Sequence, residues 1–121
     1  MQLTNLDVSP APHGFGSVLV AGDYGKQRVI AVLDRVDLDD YFQKDWPDLD
    51  DAHRRILVDG NKDIIGNLMQ KKCEAGEWQD EKQPGGMVKK VVISRADLFG
   101  VVPRLSDARL KVFKSAGFRQ A

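Results

Sequence analysis

The sequence contains few of the residues from which disulfides and metal sites are built. It has one cysteine, Cys73, and two histidines, His13 and His53, among 121 residues. A single cysteine cannot form an internal disulfide, and no two of these three residues have the spacing of a zinc site. The sequence therefore predicts no metal ion, no cofactor and no disulfide framework.

Long apolar runs are also missing. The longest, such as residues 29–33, are far shorter than the roughly 20 residues that a membrane-spanning helix needs. The first residues lack the basic and apolar regions of a signal peptide. These absences predict a cytoplasmic protein with no membrane segment.

Recognisable catalytic motifs are missing as well. Neither histidine lies near a serine or cysteine in a nucleophile motif, and Gly14-Phe15-Gly16 precedes a predicted strand, whereas a dinucleotide-binding loop follows one. His53 is better interpreted as a packed or cap-adjacent residue than as a ligand. Cys73 is interpreted as a small apolar residue, with a reactive thiol as the alternative. We expect no catalytic residue and no small-molecule ligand, so enzyme activity would require carboxylates that the fold brings together.

The apolar and charged residues that are present predict a single α+β domain. The composition, 42% apolar and 30% charged, is typical of a globular protein. Residues 1–14 contain Pro10 and Pro12 and show no period, so they are predicted to be an irregular N-terminal arm before a domain at 15–121. Residues 15–33 predict a β-hairpin around two glycines, and its second strand, apolar on both faces, is expected inside the sheet.

The third strand of the predicted sheet and the helix that covers the sheet lie further along the chain. Residues 79–86 contain Pro84-Gly85-Gly86 and predict a mobile loop, and residues 88–94 predict a third strand. Residues 48–74 have apolar side chains at helical spacing and predict one long helix that continues across Asp59-Gly60-Asn61. We expect a three-stranded antiparallel sheet covered by this helix.

The long helix is predicted to carry two apolar stripes. Leu57, Ile64 and Leu68 share one stripe, while Val58, Ile65 and Met69 lie on the adjoining arc. One sheet can cover the first stripe, so the second is expected to need another helix or another subunit. Val58, Ile65 and Met69 are therefore the candidate protein interface.

Charge is unevenly distributed although the net charge is zero. Residues 34–51 carry eight aspartates against two basic residues, a net charge of −6, and the sequence Asp-Leu-Asp-Asp occurs at both 37–40 and 48–51. Aspartate stabilises the first turn of a helix, so each copy predicts a helix start. The alternatives are cation binding, for which an EF-hand pattern is missing, and an acidic decoy for a basic partner.

The C-terminal segment is basic, with a net charge of +4 over residues 101–121. Residues 107–116 predict an accessory helix that Ser106 caps and Gly117 ends. The segment contains five basic residues that could contact nucleic acid or an acidic partner: Arg104, Arg109, Lys111, Lys114 and Arg119. Solvation or pairing within the chain is the alternative interpretation.

Three groups of residues carry a resemblance to a known family. They are Val29-Ile30-Ala31-Val32 with Asp37-Leu38, Asn61-Lys62-Asp63-Ile64 with Lys71-Lys72-Cys73, and Val92-Ile93-Ser94-Arg95-Ala96-Asp97-Leu98. In this order, over roughly residues 18–98, the chain resembles the short bacterial proteins grouped as domain of unknown function 1488. It departs from that pattern in residues 1–14, in the longer 79–86 loop and after Phe99. The resemblance implies a small α/β fold in a bacterial cytoplasm and no assigned activity.

Taken together, the sequence predicts a non-enzymatic protein-interaction or regulatory domain that forms a homo-oligomer. The prediction rests on the second apolar stripe of the long helix. A weak nucleic-acid-binding protein and an acidic inhibitor of a basic partner remain the alternatives.

Overall fold

The computed structural model describes residues 3–11, 16–42 and 49–102. This part of the chain contains strands and helices in the order βββααα, ββ and α, which confirms a mixed α and β fold. The strands are β1 (Thr4–Pro10), β2 (Val18–Tyr24), β3 (Gln27–Leu33), β4 (Gln79–Gln83) and β5 (Gly86–Val92), and the helices are α1 (Arg35–Phe42), α2 (Asp51–Gly60), α3 (Lys62–Glu74) and α4 (Arg95–Leu98).

The sheet has five strands within the described residues, in the order β1-β2-β3-β5-β4, so the prediction of three strands is wrong. The hairpin of β2 and β3 turns at Gly25, which has a φ of 63°. The central position of β3 agrees with its apolar residues on both faces. However, β5 runs parallel to β3, whereas an antiparallel return was predicted.

The parallel pairing follows from β4, which the sequence analysis assigned to a mobile loop at 79–86. Because β4 precedes β5 in an antiparallel hairpin, the chain reverses direction once more before it reaches β3. The turn contains Pro84 and Gly85, and Gly86 has a φ of 129°. No apolar alternation marks β4, because it is a polar edge strand with the sequence Gln-Asp-Glu-Lys-Gln.

Residues 4–10 form β1, although residues 1–14 were predicted to be an irregular arm. Leu6 and Val8 are half-buried against the core, and Pro10 ends the strand at the edge of the sheet. The pairing of β1 with β2 shifts between Thr4 and Asp7, and Asn5 between them has a φ of 55°. This irregularity removes the simple period of two by which a strand is recognised.

The predicted long helix is interrupted at Asn61, which separates α2 from α3. The side-chain amide of Asn61 donates a hydrogen bond to the Leu57 carbonyl at 2.8 Å, the acceptor that its backbone N–H would have in a continuous helix. The Asn61 backbone N–H instead bonds to the Val58 carbonyl. The Asp59-Gly60-Asn61 turn signal therefore outweighed the continuous apolar period.

The residues of the second predicted stripe face the sheet and form its cover. Val58, Ile65 and Met69 are each at most 2% exposed, whereas Ile64 and Leu68 of the first stripe are only half-buried. Because α2 and α3 are separate helices, each can turn its own apolar side toward the same sheet. The four helices and the covered face of the sheet together form one core: Val18, Val20, Val29, Ala31, Leu33, Leu38, Tyr41, Phe42, Leu57, Val58, Ile65, Met69, Val91, Ile93, Leu98 and Val102.

Several predicted helix ends are confirmed. The Asp50 carboxylate caps α2 by accepting the His53 backbone N–H at 2.8 Å. Helix α3 ends in a Schellman motif, in which Gly76 has a φ of 75° and the Glu77 N–H bonds to the Lys72 carbonyl. Ser94 and Asp97 form a capping box at the start of α4. The predicted helix at 107–116 lies outside the described residues.

Candidate interaction surface

The predicted interface residues do not lie on a surface of the described chain. Val58, Ile65 and Met69 are part of the core between the helices and the sheet. The sequence analysis assumed that the sheet would cover only the first stripe, whereas the break at Asn61 lets both helices bury the second one. A partner could reach these three side chains only by displacing the sheet. The candidate interface at these residues is therefore wrong as a surface of the folded monomer.

The five predicted basic contacts cannot be compared with the structure. Arg104, Arg109, Lys111, Lys114 and Arg119 lie outside the described residues. Their candidate contact with nucleic acid or an acidic partner stays a prediction.

Several aspartates of the acidic segment bind within the chain. Arg54, whose side chain is 4% exposed, donates from Nε to one oxygen of Asp39 at 2.9 Å and from a terminal nitrogen to the other at 3.3 Å. The terminal nitrogen that binds Asp39 also donates to the Leu49 carbonyl at 3.2 Å, and the other terminal nitrogen donates to Asp51 at 2.8 Å. This cluster joins α1 to the first turn of α2. Among the described residues, no buried side-chain nitrogen or oxygen is left without a partner.

Gly16, which precedes β2, has no side chain and so leaves room for the guanidinium group of Arg54. A Cβ atom at Gly16 would lie 2.8 Å from a terminal nitrogen of Arg54, and the φ of Gly16 is 97°. The hydroxyl of Ser17, the next residue, accepts the Arg35 backbone N–H at the start of α1. The sequence analysis missed Arg54, because an arginine between two aspartates on a helix resembles an ordinary solvated residue.

Of the residues considered as ligands or nucleophiles, His13 lies outside the described residues, and His53 and Cys73 lie on different helices. The Nδ1 atom of His53 lies 3.5 Å from the Asp50 carboxylate at the start of α2. Cys73 is half-buried on α3, where burial raises the pKa of its thiol more than the charge of Lys89 lowers it. Within residues 3–11, 16–42 and 49–102, no group of three or more His, Cys, Asp or Glu side chains could hold a metal ion. No helix of this part of the chain is long and apolar enough to cross a membrane.

The face of the sheet opposite the helices carries apolar side chains from three adjacent strands. We call it the outer face and define it by Leu19, Ala21, Ile30, Val32, Val88 and Val92. Leu19 pairs with Val32, and Val32 pairs with Val92, so these three form one row across β2, β3 and β5. Val92 is 64% exposed. A contiguous apolar row at the surface is typical of an interaction site.

Charges of both signs lie on the outer face beside its apolar side chains. Arg28 and Asp23 pair at 3.2 Å near one end, and hydrogen bonds from Asn5 and Arg28 hold the pKa of Asp23 below its ordinary value. Lys90 on β5 and Glu81 on β4 pair at 3.5 Å. The outer face therefore has an apolar centre and a mixed-charge border, which is the usual composition of a protein interface.

The two edges of the sheet are less suited to pairing with another chain. Strand β1 is irregular at Asn5 and ends at Pro10. Strand β4 is short and carries three consecutive charged residues at 80–82. Irregularity, proline and edge charges all oppose the addition of another strand.

Comparisons with protein-family models, with curated proteins and with solved structures found no match to this chain.

Proposed function

We propose that the chain is a non-enzymatic protein-interaction domain that self-associates through its outer face. The observation that supports this proposal is the apolar row of Leu19, Val32 and Val92, in which Leu19 and Val32 are half-buried and Val92 is 64% exposed. The polar side chains of the Arg54 cluster are bound to one another, and two of them, Arg54 and Asp51, line an open cleft beside Arg35 and Arg55. Their arrangement favours a binding role over a catalytic one.

A second copy of the chain is the partner that fits this face best. In a two-fold dimer the same surface meets itself, so each charge must find an opposite charge on that same surface. The outer face has both signs on its border, with Arg28 and Lys90 beside Asp23 and Glu81. The net charge of zero leaves no overall repulsion between two copies.

The two alternatives from the sequence have weaker support. An acidic decoy would have three of its carboxylates engaged within the chain, because Asp39 and Asp51 bind Arg54 and Asp50 caps α2. The basic residues of a nucleic-acid surface lie in the segment 103–121, for which the structure gives no geometry. The bacterial cytoplasmic setting implied by the family resemblance also stays part of the proposal.

Light scattering at several protein concentrations tests the proposal. We expect a mass that rises with concentration toward that of a dimer. Val92→Asp should weaken self-association at least tenfold, because the new carboxylate would lose its water in the interface. Its matched control is Met87→Asp, since Met87 is also exposed on β5 but lies on the opposite side of that strand.

Two outcomes would contradict the proposal. One is a wild-type protein that is monomeric at every concentration. The other is a dimer that Val92→Asp and Met87→Asp affect equally, which would place the interface elsewhere.

A further inference from the structure

The outward-facing side chains of the sheet lie in rows that cross the strands, because the pairing of neighbouring strands aligns them. The apolar row of Leu19, Val32 and Val92 is one of these rows. The next row, which we call the middle row, has a charged residue at each end and apolar residues between them: Asp7 on β1, Ala21 on β2, Ile30 on β3 and Lys90 on β5. A third row, nearer the hairpin turn, contains Asp23 and Arg28.

The two charged ends of the middle row cannot form an ion pair within one chain. Asp7 and Lys90 are separated by three strand spacings, about 14 Å. Asp7 is exposed, and none of the described residues forms an ion pair with it. Lys90 forms an ion pair with Glu81 at 3.5 Å, but its ammonium group has three donors and can bind a second carboxylate. Both ends of the row are therefore available to another chain.

A two-fold axis parallel to β3 brings the apolar rows of two copies together. The rotation turns the second outer face toward the first, exchanges the positions of β2 and β5, and leaves each row over the same row. Leu19 of each copy then lies over Val92 of the other, and Val32 lies over Val32. A tilt of about 15° between β3 and the axis gives the roughly 30° at which aligned sheets pack. Every side chain of the apolar row thus meets an apolar side chain.

The same axis brings opposite charges together in the middle row. Lys90 of one copy lies over Ala21 of the other, and Ala21 pairs with Asp7 on β1. The small Ala21 side chain leaves room for the lysine side chain to extend sideways to Asp7, one strand spacing of about 5 Å away. The symmetry repeats this contact, so the dimer has two equal ion pairs. Arg28 faces Arg28 under this axis, but each is already neutralised by Asp23 of its own chain at 3.2 Å.

A two-fold axis that crosses the strands at the middle row gives a poorer match. It would place Leu19 over Asp23 and Val32 over Arg28, so apolar side chains would remove water from an ion pair. It would also place each charged end of the middle row opposite itself, which brings like charges together. The apolar and the charged residues therefore both favour the axis parallel to β3.

We propose that two copies stack through their outer faces with the two-fold axis parallel to β3, and that Asp7 of each copy forms an ion pair with Lys90 of the other. This inference rests on the proposed function and adds to it the orientation of the two copies. It also gives β1 a role in the interface, because Asp7 belongs to that edge strand.

An exchange of the two charges tests this orientation. Asp7→Lys and Lys90→Glu, each alone, should raise the dissociation constant of the dimer at least about tenfold at low salt, because each places two pairs of like charges in the interface. The double variant with both substitutions restores opposite charges and should return the dissociation constant to within about threefold of wild type. Light scattering of the full-length chain over a concentration series measures the constant for each protein.

Lys82→Glu is the matched control for the exchange. Lys82 is exposed on β4 and pairs with Met87, so its side chain lies on the opposite side of the sheet from that of Lys90. Lys82→Glu should neither weaken the dimer by itself nor restore the Asp7→Lys variant. Each double variant keeps the net charge at zero, since one substitution offsets the charge change of the other. Net charge therefore cannot explain a difference between them.

Lys90→Gln provides a second measurement at the same position. Lys90→Glu places a new carboxylate beside Glu81 in its own chain, which can disturb the fold. Lys90→Gln removes the charge without adding another, and it should raise the dissociation constant at least about threefold. Urea unfolding at concentrations where the protein is monomeric shows whether each variant is folded.

The outcomes separate this orientation from the proposed function. A dimer that Val92→Asp weakens but Asp7→Lys leaves unchanged would support the outer face as the interface and overturn the orientation. A double variant that stays as weak as Asp7→Lys alone, or equal restoration by Lys82→Glu, would overturn the orientation as well. A wild-type protein that is monomeric at every concentration would overturn both.

Discussion

The two faces of the sheet differ most clearly at two neighbouring residues of β5. Val91 points into the core and is fully buried, while Val92 points to the outer face and is 64% exposed. The covered face is completed by helices and by bound polar groups such as Arg54. The outer face is equally apolar in its centre but ends in exposed side chains and a border of charges. An apolar strand pattern thus shows that a face needs a cover, and it does not identify the cover.

The largest expected difference between the two faces is the loss of stability when an aspartate is introduced into each of them. Ile65→Asp should destabilise the protein by more than about 4 kcal/mol, because it buries a carboxylate with no partner in the core. At concentrations where the protein is monomeric, Val92→Asp should change the free energy of unfolding by about 0.5 kcal/mol or less. Urea unfolding of both variants measures the difference. A folded Ile65→Asp with wild-type stability would contradict the assignment of α3 to the covered face.

The fold could be predicted from sequence where hydrophobic period and capping agree. The hairpin of β2 and β3 and the central position of β3 follow from apolar residues on both faces of 27–33 and from the glycines of the turn. The ends of α3 and α4 follow from Gly76 and from the spacing of Ser94 and Asp97. Both signals are local, so neither depends on what the element packs against.

The two edge strands could not be predicted because tertiary pairing creates them. Strand β4 has no apolar residue, and its strand geometry comes from its ladder with β5. Strand β1 is distorted at Asn5, so its inward-facing Leu6 and Val8 do not give a simple alternation in the sequence. Because β4 was not predicted, β5 was expected to run antiparallel to β3, whereas it runs parallel to it.

The candidate surface was misplaced for a related reason. The period across Asp59-Gly60-Asn61 indicated one rigid helix whose two stripes could not both reach the sheet. The side-chain bond from Asn61 to the Leu57 carbonyl, which makes the break, depends on three-dimensional geometry and has no sequence period. Once the helix is divided, Val58 and Ile65 become core residues, and the exposed apolar strip lies on the other face of the sheet.

The next prediction compares an arginine on each side of the sheet. Arg54→Ala should cost about 2–4 kcal/mol, because it leaves Asp39 and the Leu49 carbonyl without a buried donor. Arg28→Ala, which removes the exposed pair with Asp23 on the outer face, should leave the free energy of unfolding close to wild type. Urea unfolding of the two variants provides the comparison. Equal losses would mean that the Arg54 cluster contributes no more than a surface ion pair.

A smaller effect is expected where β1 approaches α3. A Cβ atom at Gly66 would lie 2.7 Å from Cδ1 of Leu6. Gly66→Ala should therefore cost about 1 kcal/mol, since overpacking at about 1–3 kcal/mol exceeds the gain in helix propensity of about 1 kcal/mol. In a Leu6→Ala background the same change should become stabilising, and thermal unfolding of this double-mutant cycle measures the reversal.

The control for this prediction is Gly85→Ala. A Cβ atom at Gly85 would meet nothing within 4 Å, so this substitution should be neutral or slightly stabilising. If Gly66→Ala were stabilising in the wild-type background, the contact between β1 and α3 would be looser than the structure indicates.

The smallest expected effect is a difference between Asp97 and Glu81 in how the stability that each carboxylate contributes depends on pH. Burial alone would raise the pKa of Asp97, but hydrogen bonds from Ser94 and Lys72 outweigh it and hold that pKa below its ordinary value of 3.8. A lowered pKa in the folded state gives stability that is present above the unfolded pKa and lost as pH falls through the folded pKa. Asp97→Asn should therefore cost about 1 kcal/mol at neutral pH and almost nothing once the pH falls well below the folded pKa of Asp97.

Glu81→Gln is the matched substitution on the outer side of the sheet. Glu81 pairs with Lys90 at 3.5 Å in a position where both side chains are about one third exposed. Because solvent screens such a pair, the substitution should cost less than about 0.5 kcal/mol at neutral pH. Urea unfolding of both variants at neutral and acidic pH gives the two profiles. If the two substitutions changed stability in the same way at both pH values, the capping box of α4 would contribute no more than the exposed Lys90–Glu81 pair. The two sides of the sheet would then differ only in how deeply their apolar side chains are buried.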